Sequence, residues 1–358
     1  MMSFTMESFH QPSRLAIQWH ITDKCNLHCQ HCYQASWRGG NVPLKSLIHT
    51  ADKLLGFYQQ LSRDRHLPFL LTITGGEPFT QPNFLELLQY LDRHPIRPSI
   101  AILTNGSLIT PEKAKTLAQL NISFIQMSVE GAEETHNVIR GRDNLKKVIK
   151  ATQLLRKENV RVLWSFTAHQ KNASQFEVVA TLAKKHNVSR IWADRMIPSR
   201  DAMPDVLNKE QTQQFFENML LTKIKLSKKT ITKRIMHKLC NHQDTEVAML
   251  RALQFKASGE TPYHCHAGDS FLTVMPDGTV YPCRRLPISV GNLHTLPLMK
   301  IYQQSPFLKE LRDFIAPQAC RKCAFMNGCK GGLRCLSFAT SGDPFGADPG
   351  CHEAMSGS

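Results

Sequence analysis

The chain has 358 residues, of which 42% are hydrophobic and 20% are charged, and this is the composition of a globular protein with room for about two domains. No apolar run reaches the ~20 residues of a membrane-spanning helix, and the N-terminus lacks the basic start and apolar core of an export signal, so we expect a cytoplasmic protein. The net charge of +15 suits an acidic peptide, a nucleic acid or a membrane surface and does not choose among them.

Residues 14–200 alternate short β-rich runs with longer amphipathic segments, which is typical of repeated βα units around a parallel sheet. Six strands are predicted, at 16–21, 69–74, 99–104, 124–129, 160–166 and 190–196. Five helices are predicted between them, at 44–60, 82–93, 111–119, 143–157 and 174–186, and Thr110 is the expected N-cap of the third. Reactive groups of such a sheet belong in the loops at the carboxyl ends of the strands.

The rest of the chain divides into two regions. Residues 201–260 contain little glycine and predict two helices, at 209–222 and 232–257, with a basic run at 223–234 between them. This run favours a solvated surface, with a docking face for an acidic peptide as the alternative; no aromatic residues interleave the charges, which disfavours a nucleic-acid site. Residues 261–352 are rich in glycine, proline and cysteine, so metal clusters would have to hold this module together.

Three of the eleven cysteines follow the first predicted strand with the spacing C-x3-C-x2-C: Cys25, Cys29 and Cys32. In a reducing compartment, clustered cysteines favour metal ligation over disulfides. A tetrahedral zinc and a cubane iron–sulfur cluster each take four ligands, so three thiolates leave one metal corner open. The alternatives are a disulfide-linked loop and a zinc site completed by a neighbouring histidine: His20, His28 or His31.

Together with Gly75-Gly76-Glu77-Pro78 after the second predicted strand, this spacing resembles that of the radical S-adenosylmethionine (SAM) enzymes. The resemblance covers about residues 14–200 and implies an α/β fold, the partial (βα)6 TIM-like barrel of that family. It also implies a [4Fe-4S] cluster whose open iron chelates the amino and carboxylate groups of SAM. Reduction of this cluster would cleave SAM to methionine and a 5′-deoxyadenosyl radical, which removes hydrogen from a substrate carbon.

The same resemblance places four residues of the first two loops at SAM. Gly75 and Gly76 let the backbone approach the methionine amino group, because glycine has no side chain in the way, and Glu77 closes the turn. His31 stands where the family has an aromatic residue against adenine, although tyrosine or phenylalanine is the commoner residue there.

Three further residues are placed at SAM by their positions in later loops. Ser128 falls where relatives contact the ribose, Arg140 falls where they contact the carboxylate, and Asn105 ends the third predicted strand. For Ser128, Asn105 and the nearby Glu130, capping of strand ends and turns is the alternative role.

The cysteines of residues 261–352 resemble those of the SPASM extension of radical SAM enzymes, which carries two auxiliary [4Fe-4S] clusters. The resemblance assigns four of them to an outer cluster: Cys320, Cys323, Cys329 and Cys351. It assigns three to an inner cluster: Cys265, Cys283 and Cys335. Cys335 departs from the usual pattern, because five residues rather than three separate it from Cys329. Two zinc sites of the C-x2-C type are the alternative.

The inner cluster is then one ligand short. Cys240, His264, His266, water or a thiolate of the substrate could supply the fourth ligand, and a buried free thiol is the alternative role of Cys240. With the SAM-binding cluster, the expected cofactors are three [4Fe-4S] clusters and SAM.

The resemblance implies a maturase that acts on a ribosomally made precursor peptide, by a thioether or carbon crosslink or by epimerisation. Arg284 follows Cys283 where sulfatase maturases commonly have an acidic base, and Asp277 has the context of a turn residue, so no catalytic residue is assigned. Alternatives are a radical SAM enzyme acting on RNA or a small metabolite, and a zinc-stabilised binding protein without chemistry.

The expected partners follow from this function. They are an acidic precursor peptide and a low-potential electron donor such as flavodoxin or ferredoxin. Because no separate leader-binding domain precedes residue 14, either the peptide is recognised without one or another protein supplies it. We expect no membrane partner, and a nucleic-acid partner is disfavoured.

Overall fold

The structure is a computed structural model, and it describes residues 9–34, 39–198, 205–227 and 244–353. Its strands β1 to β10 are Leu15–His20, Phe69–Thr74, Ser99–Thr104, Ile122–Ser128, Val162–Ala168, Arg190–Arg195, Glu246–Ala248, Phe271–Val274, Thr279–Tyr281 and Gly291–Asn292. Its helices α1 to α12 are Leu44–Leu61, Phe84–Arg93, Pro111–Ala118, Glu133–Arg140, Asn144–Lys157, Phe176–Lys185, Lys209–Ser227, Gln254–Ser258, Leu298–Gln304, Pro306–Asp313, Met326–Cys329 and Arg334–Ser341.

The strands form one sheet in the order β10-β9-β8-β1-β2-β3-β4-β5-β6-β7. Strands β1 to β6 pair in parallel in chain order, and helices cover their connections, so the predicted (βα) architecture is confirmed. The six predicted strands are all present, two of them with the predicted bounds. Thr110 caps α3 through its hydroxyl, which accepts a hydrogen bond from Lys113 N.

Helix α4 is an element that the hydrophobic pattern did not predict. Its apolar face is short, because the side chains it buries are those of His136 and Ile139. Acidic residues occupy its first turn and Arg140 its last turn, as the helix dipole favours. It ends at Gly141, whose φ of 114° suits glycine. A polar helix of this kind carries little periodic signal, although it brings Arg140 to the site.

The helix predicted at 232–257 is wrong over part of its length. Residues Glu246–Ala248 form β7, which pairs in parallel with β6 and adds a seventh strand to the βα series. A short helix, α8, follows at Gln254–Ser258. The first part of the helix predicted at 232–257, which includes Cys240, lies outside the described residues. The part of the basic run that follows residue 227 also lies outside them. The preceding helix, α7, continues to Ser227 rather than ending at 222.

The C-terminal segment extends the same sheet on its other side. Strand β8 pairs in parallel with β1, with Ala16 opposite Phe271, and β9 and β10 continue the sheet in antiparallel pairs. Leu272, Val274 and Val280 are buried in the hydrophobic core that β1 to β6 share. The cysteine-rich segment is therefore anchored to the barrel by strand pairing as well as by its own contacts. Among the described residues, no helix combines the length and apolarity required to cross a bilayer.

Candidate active site and iron–sulfur sites

A cavity of about 700 Å³ lies on the inner face of the sheet. Alternate residues of the strands line it, as expected for strands with one face toward the cavity: Leu70, Thr72 and Thr74 in β2, and Phe124, Gln126 and Ser128 in β4. Six cysteines from two distant parts of the chain also line it: Cys25, Cys29 and Cys32, and Cys265, Cys283 and Cys335. The loop after β1 and the C-terminal segment therefore face one shared space.

Gly75 and Gly76 line this cavity and also hold the cysteine loop. Gly76 N donates to Thr22 O at 2.8 Å, and the next residue donates through its amide to Lys24 O at 2.9 Å. A Cβ atom on Gly75 would overlap Thr22 O, and one on Gly76 would overlap Lys24 O. The two glycines are thus required for the close approach of the loop that carries Cys25.

Glu77 is fully buried and does not line the cavity, unlike the other six residues that the resemblance placed at SAM. Its Oε1 accepts from Thr104 Oγ1 at 2.7 Å and from Phe79 N at 3.2 Å, and its Oε2 accepts from Asn105 N at 2.7 Å. Burial raises the pKa of Glu77 to about 7, against the effect of these three donors. The carboxyl group joins the turn after β2 to the end of β3.

Arg140 is held beside Cys29 by a buried carboxylate. Glu130 Oε1 accepts from Arg140 Nε at 3.0 Å and Nη2 at 2.6 Å, and Glu130 Oε2 accepts from Thr167 N at 2.8 Å. Arg140 Nη1 lies 3.9 Å from Cys29 Sγ. Burial alone would raise the pKa of Glu130, but the Arg140 guanidinium holds it well below its usual range. This geometry presents the Arg140 guanidinium beside Cys29, where it can hydrogen-bond a bound anion.

His169, which sequence reasoning missed, packs against His31 but does not itself line the cavity. It is 3% exposed, its ring lies 5.9 Å from the His31 ring at a tilt of 30°, and neither ring nitrogen hydrogen-bonds another described residue. Burial lowers the pKa of His169 to about 4, so the ring is neutral near pH 7. Unpaired buried polar atoms cost free energy, and these nitrogens fit a polar ligand at this place. In the sequence, the feature that could have identified His169 is its position directly after strand β5.

Ser128 and Asn105 line the cavity, each with a partner inside the protein. Ser128 Oγ lies 3.2 Å from Ser165 Oγ across two neighbouring strands. Asn105 Nδ2 donates to Asn26 Oδ1 at 2.9 Å, and Asn105 Oδ1 accepts from Ser107 Oγ at 2.7 Å. Asn105 therefore ties the end of β3 to the cysteine loop.

Cys265, Cys283 and Cys335 line the cavity together, and the assignment of the C-terminal cysteines to two clusters stays a prediction. Burial raises the pKa of the Cys283 thiol and that of the Cys335 thiol, the latter to about 12. The other assigned group consists of Cys320, Cys323, Cys329 and Cys351, and burial raises the pKa of the first three of these thiols. Grouped thiols are donors that iron–sulfur clusters and zinc select, so both groups fit the expected clusters.

Of the residues that could supply the fourth ligand of the inner group, Cys240 lies outside the described residues, whereas His264 and His266 lie within them. His266 lines the cavity next to Cys265, and its Nε2 lies 2.8 Å from Arg14 Nη2. The possible ligand atoms of His264, His266 and Asp269 lie within 4.8 Å of one another. The fourth ligand stays a prediction.

Comparisons with known proteins agree with this geometry. Residues 19–183 match the radical SAM superfamily model, and residues 265–324 match SPASM, an iron-sulfur cluster-binding domain. The chain is 27% identical over 348 residues to an AdoMet-dependent heme synthase of Methanosarcina barkeri, with 94% of this chain and 95% of the relative covered. It is 27% identical over 357 residues to the mycofactocin maturase MftC of Mycobacterium tuberculosis, with 96% and 84% covered.

Solved structures show the same fold at lower identity. The structure of anSMEcpe with bound AdoMet superposes with a TM-score of 0.73 at 19% identity, covering 95% of this chain and 91% of that one. Streptococcus suis SuiB gives a TM-score of 0.71 at 16% identity, covering 95% and 77%. The two matched domains imply iron–sulfur clusters and SAM as cofactors. The chain is an enzyme of the radical SAM superfamily that carries a SPASM iron–sulfur cluster-binding domain.

Proposed function

We propose that this enzyme is a cytoplasmic maturase that removes hydrogen from a ribosomally made precursor peptide. The observation that carries the proposal is that one cavity is lined by two sets of cysteines. Three come from the loop after β1, and three come from the C-terminal part of the chain. With clusters held by both sets of cysteines, a substrate side chain bound in this cavity would be close to the source of the radical and to a group able to accept an electron. Crosslinking and epimerisation are both compatible with this arrangement.

The residues present fit three [4Fe-4S] clusters. Cys25, Cys29 and Cys32 would hold the cluster that binds SAM, and the two C-terminal groups would hold the inner and outer auxiliary clusters. Bound SAM supplies a 5′-deoxyadenosyl radical when an electron enters it from its cluster. Arg140, fixed by Glu130, would bind the SAM carboxylate, and His31 and His169 would surround the adenine.

Two relatives support a peptide substrate. One is the mycofactocin maturase MftC, which is similar over 96% of this chain. The other is SuiB, which has been solved with its precursor peptide SuiA and shares the fold with a TM-score of 0.68. An external low-potential electron donor, such as flavodoxin or ferredoxin, and a separate leader-binding protein belong to the same proposal.

A second candidate is a radical SAM enzyme acting on a tetrapyrrole. It is favoured by the heme synthase relative, which is similar over 94% of this chain, and by an Fe-coproporphyrin III synthase of the same archaeon at 23% identity. The cavity of about 700 Å³ falls within the range of small-molecule sites.

Anaerobic turnover with mass spectrometry tests these proposals. The reconstituted protein is reduced with dithionite and supplied with SAM and with peptides encoded beside its gene, or with Fe-coproporphyrin III. We expect 5′-deoxyadenosine and a peptide that has lost two hydrogens, for a crosslink, or has kept its mass while taking up deuterium, for epimerisation. The Cys25→Ala variant is the control and should form neither product. Modification of the tetrapyrrole alone would overturn the peptide proposal.

A further inference from the structure

Among the side chains that line the cavity, arginines outnumber carboxylates. Five arginines line it: Arg14, Arg140, Arg195, Arg251 and Arg285. Among the lining residues, Asp194 is the carboxylate that accompanies them. A guanidinium whose donors are not already taken by a carboxylate of the protein keeps them free for an added anion, so the partner of each arginine matters.

Three of these arginines are occupied by carboxylates inside the protein. The pairs are Arg140 with Glu130, Arg195 with Asp348, and Arg285 with Asp194. Arg285 also lies near the thiols of the inner cysteine group. Because Asp194 and these thiols surround it, Arg285 needs no further anion. Arg14 and Arg251 are the two lining arginines still available to bind an added anion.

Arg14 and Arg251 have open hydrogen-bonding capacity toward the cavity. Arg14 is exposed, contacts His266 Nε2 at 2.8 Å, and makes no ion pair with a carboxylate of the described residues. Arg251 Nε lies 3.5 Å from Asp194 Oδ2, which Arg285 already occupies, and its guanidinium lies 4.4 Å from the centre of the Trp192 ring. Its side chain is 31% exposed, so donors remain accessible.

The two arginines belong to one wall. The His266 ring that Arg14 contacts packs edge-on against Tyr263 at 5.4 Å. The Arg251 guanidinium lies close enough to Tyr263 to act against burial, which raises the pKa of the Tyr263 hydroxyl. Apolar rings lie at the strand starts on either side of Arg14, because Phe69 begins β2 and Phe271 begins β8. These two rings and Trp192 line the same cavity. The wall therefore combines two guanidinium groups with aromatic surface.

Resting on the proposed function, we propose that Arg14 and Arg251 bind a carboxylate of the peptide substrate. The peptide enters the cavity with an acidic side chain or its free C-terminal carboxylate against this wall, and the aromatic rings pack against the neighbouring apolar part of the peptide. A guanidinium holds a carboxylate through two parallel hydrogen bonds, which fixes position as well as charge.

A small acid tests the wall without assuming that the substrate is a peptide. The probe is 4-phenylbutyrate, with 4-phenylbutyramide as its neutral equivalent, titrated calorimetrically into the anaerobic, reconstituted, SAM-loaded protein. We expect the acid to bind at least about tenfold more tightly than the amide, and Arg251→Gln and Arg14→Gln each to remove most of that difference. Arg251→Lys should keep part of it. Arg97→Gln, which loses an exposed pair with Asp92, is the matched control.

Peptide pools test the same wall with the proposed class of substrate. Three pools of acetylated hexapeptides are compared by affinity selection and mass spectrometry: neutral with an amidated C-terminus, neutral with a free C-terminal carboxylate, and amidated with one glutamate. We expect the wild type to enrich one or both acidic pools about tenfold or more, and the Arg251→Gln protein to lose the enrichment. The pool that is enriched identifies the source of the carboxylate.

The outcomes separate this inference from the proposed function. Equal binding of acid and amide by the wild type would overturn the carboxylate site, even if peptides are retained. Arginine-dependent binding of phenylbutyrate with no peptide retained would overturn the peptide substrate and support the carboxylate site. If Arg251→Gln instead lowers the iron content per chain, the arginine compensates the charge of the inner cluster, and the inference is wrong.

Discussion

Arg195 and Asp348 form a buried, doubly hydrogen-bonded ion pair that joins the end of β6 to the C-terminal segment. Arg195 Nη1 lies 2.7 Å from Asp348 Oδ1, Arg195 Nη2 lies 2.7 Å from Asp348 Oδ2, and the two side chains are 6% and 1% exposed. Asp348 also accepts from the amides of Leu333 and Gly350, and its carbonyl accepts from Cys351 N. One carboxylate thus organises the loop that presents Cys351, a proposed ligand of the outer cluster.

Replacing Asp348 by Asn should destabilise the protein by about 3–5 kcal/mol, because Arg195 is left charged and unpaired in a buried place. We expect a large drop of the anaerobic thermal unfolding midpoint and loss of iron from the outer cluster. Glu246→Gln is the control, since it breaks the half-exposed pair with Arg190 and should cost less than about 1 kcal/mol. Equal midpoints for the two variants would contradict the role of the buried pair.

Gly76→Ala should selectively weaken the SAM-binding cluster. The new Cβ overlaps the Lys24 carbonyl, so the loop with Cys25 has to move away from β2. We expect iron per chain to fall by about four, the content of one cubane cluster, with the auxiliary clusters retained. Gly56→Ala, where nothing lies within 4 Å in helix α1, should keep all iron and gain stability. Full iron content with unchanged SAM binding in Gly76→Ala would refute this role.

Glu130→Gln should weaken SAM binding through the orientation of Arg140. The amide carries no charge and can no longer hold the guanidinium beside Cys29, so we expect the SAM dissociation constant to rise about tenfold or more in equilibrium dialysis. The matched control is Glu133→Gln in α4, which removes an exposed pair with Lys146. If both variants bind SAM as the wild type does, Arg140 does not depend on Glu130.

His169→Phe should have opposite effects on stability and on SAM affinity. The phenyl ring keeps the packing against His31 and removes two buried nitrogens that have no partner in the described residues. Without SAM we expect a stability gain of about 1–3 kcal/mol, measured as a higher unfolding midpoint. With SAM we expect weaker binding, because those nitrogens can no longer meet the ligand. A variant that loses stability while keeping SAM affinity would show a purely structural role.

His136 should make the protein acid-sensitive. Its Nδ1 accepts from Glu130 N at 3.0 Å and its Nε2 lies 2.8 Å from Asn144 Oδ1, so the fold requires the neutral ring. Burial, and next the Arg140 charge, lower the pKa of His136 to about 4, below its ordinary value. The stability that it contributes is present above about pH 6.5 and is lost as the pH falls toward 4.

The matching variant is His136→Asn, whose amide oxygen can accept the same hydrogen bond without titrating. Between pH 7.5 and 5.5, we expect the wild type to lose about 1 kcal/mol more stability than the variant, measured by anaerobic unfolding at both pH values. Parallel losses in the two proteins would mean that another group titrates.

Local order along the chain determined much of the fold and singled out the candidate metal-binding residues. Buried parallel strands appear as short apolar runs, and two of them, β2 and β3, have the predicted bounds. Cysteine spacing within a loop predicted the ligands near residues 25–32, because ligands of one cluster can be close neighbours in sequence. Helix α4 and strand β7 escaped prediction, since a mostly polar helix and a three-residue strand have too little periodicity to be recognised.

Only the tertiary structure decided which distant residues meet. The pairing of β8 with β1 brings Cys265 and Cys283 to the cavity that Cys25 lines, and strand pairing over such a separation depends on packing of the whole core. The placement of Glu77 away from the cavity and the wall of Arg14 and Arg251 were equally hidden. Burial and charge pairing arise when separate elements pack. They could not be predicted, because a residue's partner across the fold leaves no spacing pattern in the chain.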